Sequence, residues 1–389
     1  MIYNLVEEPV FQRLRRIRQL GLTDLVYPGA LHTRFHHALG AMHLMQKVLD
    51  TFRRKGHYIY DTEAEAALIA ILLHDIGHGP FSHTMETILL KNTRHEDLSL
   101  LIMNHLNKKY EGALSLAIEI FTGTYHRKFF NQLVSSQLDM DRLDYLKRDS
   151  YFTGVIEGST GTERIIQMMN IVDDNLVVEE KGIYSIESFL NARRLMYWQV
   201  YLHKTAVCAE QILKNAMKRA RDLIRVGTSL DYPKGLHIFL EKDISLADFQ
   251  DYPEMMEAFI RLDDYDIWSA LKSWTTSEDL VLSELSKALI DRKLFQIQML
   301  EEAPTESHII ELIKIVAEKY SISMDEAKYF VSTGSLSNAA YIKEGSHIMI
   351  AKKNGDVVEI SNVADLPNIK AMSKIVRKYY LCWPKKLSL

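Results

Sequence analysis

Three histidines and an aspartate fall within ten residues in the stretch Leu72-Leu73-His74-Asp75-Ile76-Gly77-His78-Gly79-Pro80-Phe81-Ser82-His83. Imidazole nitrogens and carboxylate oxygens suit Zn, Fe or Mn, and they can share a site with Mg. The cluster follows directly on the apolar run 66–73, which reads as a buried helix delivering ligands to a metal at its C-terminal end. His74 and His78 stand four apart, so helical geometry puts them on one face with Asp75 beside it. One metal needs more ligands than His74 and Asp75 supply. Upstream, Arg34-Phe35-His36-His37 offers a histidine from another helix. Downstream, the segment 136–149 is rich in aspartate, and Asp141, Arg142, Tyr145 and Asp149 fall at helical spacings that share a face. Asp141 can close a metal shell, and Arg142, Tyr145 and Arg148 can meet an anionic substrate.

Each of these has an ordinary reading when taken singly. A histidine in a helix is commonly structural, and an Asp/Arg-rich helix is commonly a solvated face laced with i,i+4 pairs. A histidine, then His-Asp on a buried helix, then a carboxylate on a third helix is a combination that favours a metal site.

The elements that must position these groups read mostly as helix. The spacing predicts helices over 10–20, 34–52, 62–76 (with Asp61 as N-cap), 96–106, 113–121, 129–145 and 188–224. Two stretches break the pattern. Leu176 to Glu180, a Lys181-Gly182 turn and Ile183 to Ile186 read as a β-hairpin, near 172–186. Lys353-Asn354-Gly355-Asp356 is a strong hairpin turn between 347–351 and 357–360, and 379–383 reads as a further strand. The domain reading is therefore a helical body over 1–306 and a small α/β region over 307–389, with no low-complexity linker between them.

Composition bounds the function classes. The 389 residues are 47% hydrophobic and 25% charged, ordinary for a globular protein, and the net charge of -4 gives no global basic field for nucleic acid. The pair Lys352-Lys353 lacks the interleaved aromatics that nucleic-acid surfaces use. Two cysteines, Cys208 and Cys382, without Cys-x-x-Cys spacing, exclude a disulfide framework and a thiolate zinc site. With no signal-like start and no apolar run near the ~18 residues of a membrane span, the expectation is a cytoplasmic, non-membrane protein.

The order His…His-Asp…Asp resembles the HD superfamily of metal-dependent phosphohydrolases. Longer strings narrow the resemblance to its deoxynucleoside triphosphate triphosphohydrolase (dNTPase) branch, whose mammalian member joins a sterile-alpha-motif to the HD domain. These strings are 12–21 (QRLRRIRQLG), 27–30 (YPGA), 34–40 (RFHHALG), 74–83 (HDIGHGPFSH) and 139–145 (DMDRLDY). The resemblance covers the chain to about residue 204. It implies a mainly α fold: an HD-domain helical bundle with a small β-hairpin insertion and a small α/β C-terminal appendage.

Residue by residue, the resemblance implies a divalent metal of the Fe, Mn, Zn or Ni class on His37, His74, Asp75 and Asp141. It makes Arg34 a phosphate contact, puts His78 in the phosphate pocket, and makes His83 the general acid with Glu86 orienting it. His95 contacts phosphate or a second, Mg-type ion. Arg142 stands where the relative has lysine, and Arg193 is a further phosphate contact. Tyr145, Gln19 and Asp149 surround the sugar, and Tyr201 stacks under the deoxyribose. Glu7, Gln12 and Arg15 match guanine-contacting positions of a regulatory nucleotide site at an oligomer interface. The implied activity is attack of metal-activated water on the α-phosphorus of a deoxynucleoside triphosphate (dNTP), giving deoxynucleoside and triphosphate. The implied partners are a nucleotide activator and further copies of the chain. Two alternatives stay open on the same residues: a phosphomonoesterase or phosphodiesterase on another nucleotide, and a nucleotide-binding regulatory module with little turnover.

Overall fold

The computed structural model describes residues 1–338, 347–363 and 376–385, apart from the side chains of 83, 87 and 253. The parts of the C-terminal region at 339–346, 364–375 and 386–389 lie outside the described residues.

Helix α1 (Arg34–Arg54) buries Phe35, Ala38, Ala41, Met45, Val48, Leu49 and Phe52, one stripe at spacings of three and four. Thr33 and His36 form a reciprocal cap at its start, His36 Nδ1 accepting the Thr33 backbone N–H at 3.1 Å. Helix α2 (Asp61–Leu73) is apolar on nearly all sides from Ala66 onward and runs through the interior. Short helix α3 (His83–Leu89) and helix α4 (His95–Lys109) follow, and α5 (Met140–Thr153) packs on α1. Beyond the hairpin, α6 (Ile183–Met196) runs through one π turn at Tyr197–Tyr201 towards α7 (Lys204–Arg225), an amphipathic helix that packs against α3.

Two sheets complete the body. Strand β1 (Met169–Val172) pairs with β2 (Asn175–Glu179), β2 runs parallel to β5 (Met349–Ala351), and β5 pairs with β6 (Val357–Glu359). Strand β3 (Gln296–Leu300) and β4 (Ser332–Asn338) flank β7 (Val376–Trp383). The C-terminal strands thus pair with elements from the first 306 residues, and Val316, Phe330, Ile350 and Cys382 belong to the same buried cluster as Phe35 and Leu72. The 353–356 hairpin and the strand over 379–383 stand where the spacing predicts them.

Four local expectations are corrected. The helix expected over 10–20 stops at Arg16, first as Pro9–Gln12 and then as a 3-10 turn, and Ile17 is extended. The cause is Arg13, fully buried, whose guanidinium donates to the carbonyls of Ile76, His78, Phe259 and Leu262. The helix expected over 129–145 is two helices, Lys128–Val134 and α5, because the Asp139 carboxylate caps α5 by accepting the Arg142 and Ser136 backbone N–H groups. The hairpin lies upstream of its expected place. Its turn is Asp173-Asp174, both at positive φ, and 183–186 opens α6 instead of forming a strand. Finally, α2 ends at Leu73, so His74 and His78 lie at and beyond its end, not on one helical face. Gly77 permits the turn that follows, since a Cβ there would strike the carbonyl of His95 and the backbone of Ser99.

Candidate active site

The end of α2, the start of α1 and the start of α5 meet at one point. His37 Nε2 lies 3.0 Å from Asp141 Oδ1 and 3.8 Å from Asp75 Oδ2. His74 Nε2 lies 3.3 Å from Asp75 Oδ1 and 3.5 Å from Asp141 Oδ1. The other ring nitrogens are fixed. His74 Nδ1 donates to the Ile71 carbonyl at 2.6 Å, and His37 Nδ1 donates to Asp144 Oδ2 at 2.8 Å. Both Nε2 atoms are buried without a hydrogen-bond partner among the described residues. Buried polar atoms ordinarily find partners. Two imidazoles whose Nδ1 is bonded, leaving Nε2 aimed at shared carboxylates, form a donor set that fits a divalent metal. His37, His74 and Asp141 each bring one ligand atom within 4.8 Å of the others, and Asp75, His78 and His95 do the same beside them.

The electrostatics follow from burial and crowding. Burial pushes the His37 imidazole down, but the adjoining carboxylates of Asp141 and Asp144 outweigh it and raise it to about 10. Burial opposes the charge of Asp75, yet His74 and Arg34 hold it well below the usual carboxylate range. Burial and the nearby Arg34 cation push His78 well down, so it is neutral at pH 7. Burial drives the phenols of Tyr145 and Tyr201 well up, so both stay protonated.

A cleft of about 460 Å³ opens onto this cluster. Gln19, Arg34, Asp75, His78, His95, Asp141, Tyr145, Asp149 and Tyr201 all line it. Arg34 pairs with Asp75 and donates from Nε and Nη2 to Ser82 Oγ at 3.0 and 2.7 Å. The His78 and His95 rings stack with centroids 3.7 Å apart. The Glu86 carboxylate accepts the His95 backbone N–H and lies 3.3 Å from its Nδ1. Asp149 accepts from Tyr201 at 2.8 Å and pairs with His32 at 2.7 Å.

Two expected arginines stand beside the cleft residues with protein partners of their own. Arg142 follows Asp141 and pairs with Asp139, and Arg193 is buried, donates to Gln137 at 2.9 Å and lies 6.0 Å from the Tyr197 ring. His83 opens α3 between the cleft residues Ser82 and Thr84, and its side chain is outside the described residues. Arg15 donates to Gln12 at 2.7 Å and lies over the Phe35 ring, while Glu7 is exposed at the end of the first helix. Sequence reasoning missed Asp144, His32, Ser82, Thr84, Tyr197 and Glu210. Asp144 alone left a signal, standing three residues after Asp141 on the same helix.

Two imidazoles and two carboxylates gathered in a helical bundle, beside an arginine in an open cleft, form a donor set that could hold a divalent metal next to a bound anion. Residues 34–149 match the model of the HD domain, and 161–229 match that of an HD associated region. Protein YwfO of Bacillus subtilis (strain 168) is 32% identical over 402 residues, covering 100% of this chain and 89% of its own. The deoxynucleoside triphosphate triphosphohydrolase SAMHD1 homolog of Dictyostelium discoideum is 30% identical over 254 residues, 60% of this chain and 49% of that protein. A crystal structure of a phosphohydrolase from Bacteroides thetaiotaomicron VPI-5482 superposes with a TM-score of 0.96 at 49% identity, over 99% of this chain and 96% of that one. The chain belongs to the HD-domain family of metal-binding phosphohydrolases. No helix among the described residues is long and apolar enough to cross a membrane.

Proposed function

We propose that this chain is a dNTP triphosphohydrolase, cleaving its substrate to deoxynucleoside and intact triphosphate. The observation that carries this reading is the meeting of the His37 and His74 Nε2 atoms with the Asp75 and Asp141 carboxylates at the wall of a cleft of about 460 Å³.

A divalent ion would be held by His37, His74, Asp75 and Asp141 and would supply Lewis acidity for phosphate and water. The remaining work belongs to the chain. Arg34, locked by Asp75 and Ser82, presents fixed positive charge to the phosphoryl oxygens and needs no reorganisation to do so. Neutral His78, stacked on His95, binds phosphate oxygen by hydrogen bonding, and Glu86 holds His95 in place. His83 is assigned as the proton donor to the leaving 5′-oxygen, a task suited to imidazole at neutral pH. Water oxygen bonds to the α-phosphorus and releases a proton to solvent, the bond from phosphorus to O5′ breaks, the proton from His83 goes to O5′, and His83 takes a proton back from solvent. Tyr201 and Asp149, tied to each other and to His32, form a rigid floor for the sugar with Tyr145 and Gln19. Arg142 and Arg193 act on this reading through their partners Asp139 and Gln137. An activator bound near Glu7, Gln12 and Arg15, and assembly of several copies, are the regulatory part of the same proposal.

The test is product analysis. The purified protein is incubated with each dNTP and with Mg, Mn or Fe, and the products are separated by ion-exchange chromatography. Deoxynucleoside plus triphosphate is expected. Orthophosphate or pyrophosphate would replace the reading by another phosphohydrolase activity. Tight nucleotide binding with no product, even with a second nucleotide added, would replace it by a regulatory module.

A further inference from the structure

One carboxyl group in the cleft has no part in the chemistry above. Asp75 and Asp141 belong to the metal cluster, and Asp149 is held by His32 and Tyr201. Glu210 also lines the cleft, but it comes from α7, which packs against α3 and the Thr23–Leu25 turn and contributes nothing to the metal cluster. Its carboxyl lies beside the Thr84 hydroxyl, which lines the same cleft. Burial pushes it up to about 7, against the pull of Lys214 and Thr84. A carboxylate offers about four acceptor sites. Glu210 is half-buried, and its remaining acceptor sites face the cleft, open to donors on a bound molecule. Gln19 Oε1, in the same cleft, is buried without a partner. Leu20, Phe81 and Leu202 add apolar lining suited to a planar ring.

We propose that Glu210 is a specificity-determining residue that accepts two adjacent N–H donors from the base of the bound nucleotide, selecting the ring N–H and exocyclic amine of a guanine-type edge. The proposal rests on the nucleotide reading above for the presence of a base. A carboxylate matches two parallel donors in the way it matches a guanidinium fork. Adenine and cytosine offer one amine beside a ring-nitrogen lone pair, which faces the carboxylate unfavourably. Thymine offers a single N–H between two carbonyls.

The test uses calorimetric binding, to the full chain in the presence of Mg, of dNTP analogues in which a CH2 group replaces O5′, so that the bond to the α-phosphorus cannot be hydrolysed. The wild-type protein is expected to prefer the guanine analogue, and the hypoxanthine analogue, which lacks the exocyclic amine, to bind roughly tenfold more weakly. In Glu210→Gln the guanine preference is expected to fall by roughly 10–100-fold while the adenine and cytosine analogues hold or gain. Equal binding of guanine and hypoxanthine analogues by the wild-type protein would overturn the proposal without any variant. So would a Glu210→Gln effect of the same size on all four bases. The chromatographic assay keeps the two readings apart. Base discrimination without turnover would sink the triphosphohydrolase and leave Glu210 standing, and turnover without discrimination would do the reverse.

Discussion

His37 Nδ1 donates to Asp144 Oδ2 at 2.8 Å, and Asp144 in turn accepts from Arg148 Nε and Nη2 at 2.8 and 2.7 Å. The relay fixes the His37 ring so that Nε2 faces Asp141 and Asp75. A carboxylate behind a metal-ligating imidazole raises its basicity and sets its orientation. Asp144→Asn is therefore expected to keep the fold and lower metal affinity by roughly 10–100-fold. Metal titration of the stripped protein checks it; unchanged affinity would remove Asp144 from the site.

Replacing His74 and Asp75 together by alanine deletes two of the four proposed ligands. The expected result is loss of both bound metal and activity, read by elemental analysis and by the product assay. Full activity in that variant would rule out the metal cluster as the reaction centre.

Gly40 lies on α1 against the same relay. A Cβ there would overlap the Asp144 carboxylate and the Arg148 guanidinium. Alanine is ordinarily the better helix residue by about 1 kcal/mol. Here Gly40→Ala is expected to destabilise by about 1–3 kcal/mol through overpacking and to weaken metal binding with it. Urea unfolding measures the first effect, and a gain in stability would contradict the close approach.

The His37 imidazole is raised to about 10, so without metal it carries a proton at neutral pH. A metal binds only the neutral ring. Metal uptake should then release protons, and apparent affinity should fall about tenfold per pH unit on acidification below that value. Calorimetry in two buffers of different ionisation enthalpy reads the released protons directly.

Asp264 is nine-tenths buried and accepts the backbone N–H groups of Arg18 and Phe81, each at 2.8 Å. Burial raises it to about 6 from an ordinary value of 3.8. The folded state thus favours the protonated acid. Its contribution to stability is full below about pH 4, declines as pH rises to about 6, and is flat above, a change of roughly 3 kcal/mol. Asp264→Asn removes this titration, so the stability difference between wild type and variant should move only inside that window. Paired urea titrations across pH 4–8 test it.

The residues that meet at the candidate site were legible because local order encodes them. His74-Asp75 ends an apolar run, His37 sits at the head of an amphipathic stripe, and Asp141 falls in a helix start capped by Asp139. Helices read from period 3.6 were found in kind, though not in extent. The 129–145 helix broke because a side chain competed for backbone donors, and the first helix stopped because one buried arginine had four carbonyls to satisfy. Neither demand is visible within a short window of sequence.

The residue types, their order and the apolar periodicity determined that this chain builds a helical HD-domain bundle with histidines and aspartates at its candidate site, since those features depend on neighbours a few positions apart. The tertiary structure alone decided which side chains share the cleft. Tyr201 reaches Asp149 across 52 positions, and Arg13 reaches Leu262 across 249. Glu210 stands in the same cleft as Arg34, and β2 takes its parallel partner from the 349–351 strand. Close packing of the core fixes such meetings, because buried polar groups and sheet edges must find partners wherever the folded chain brings them.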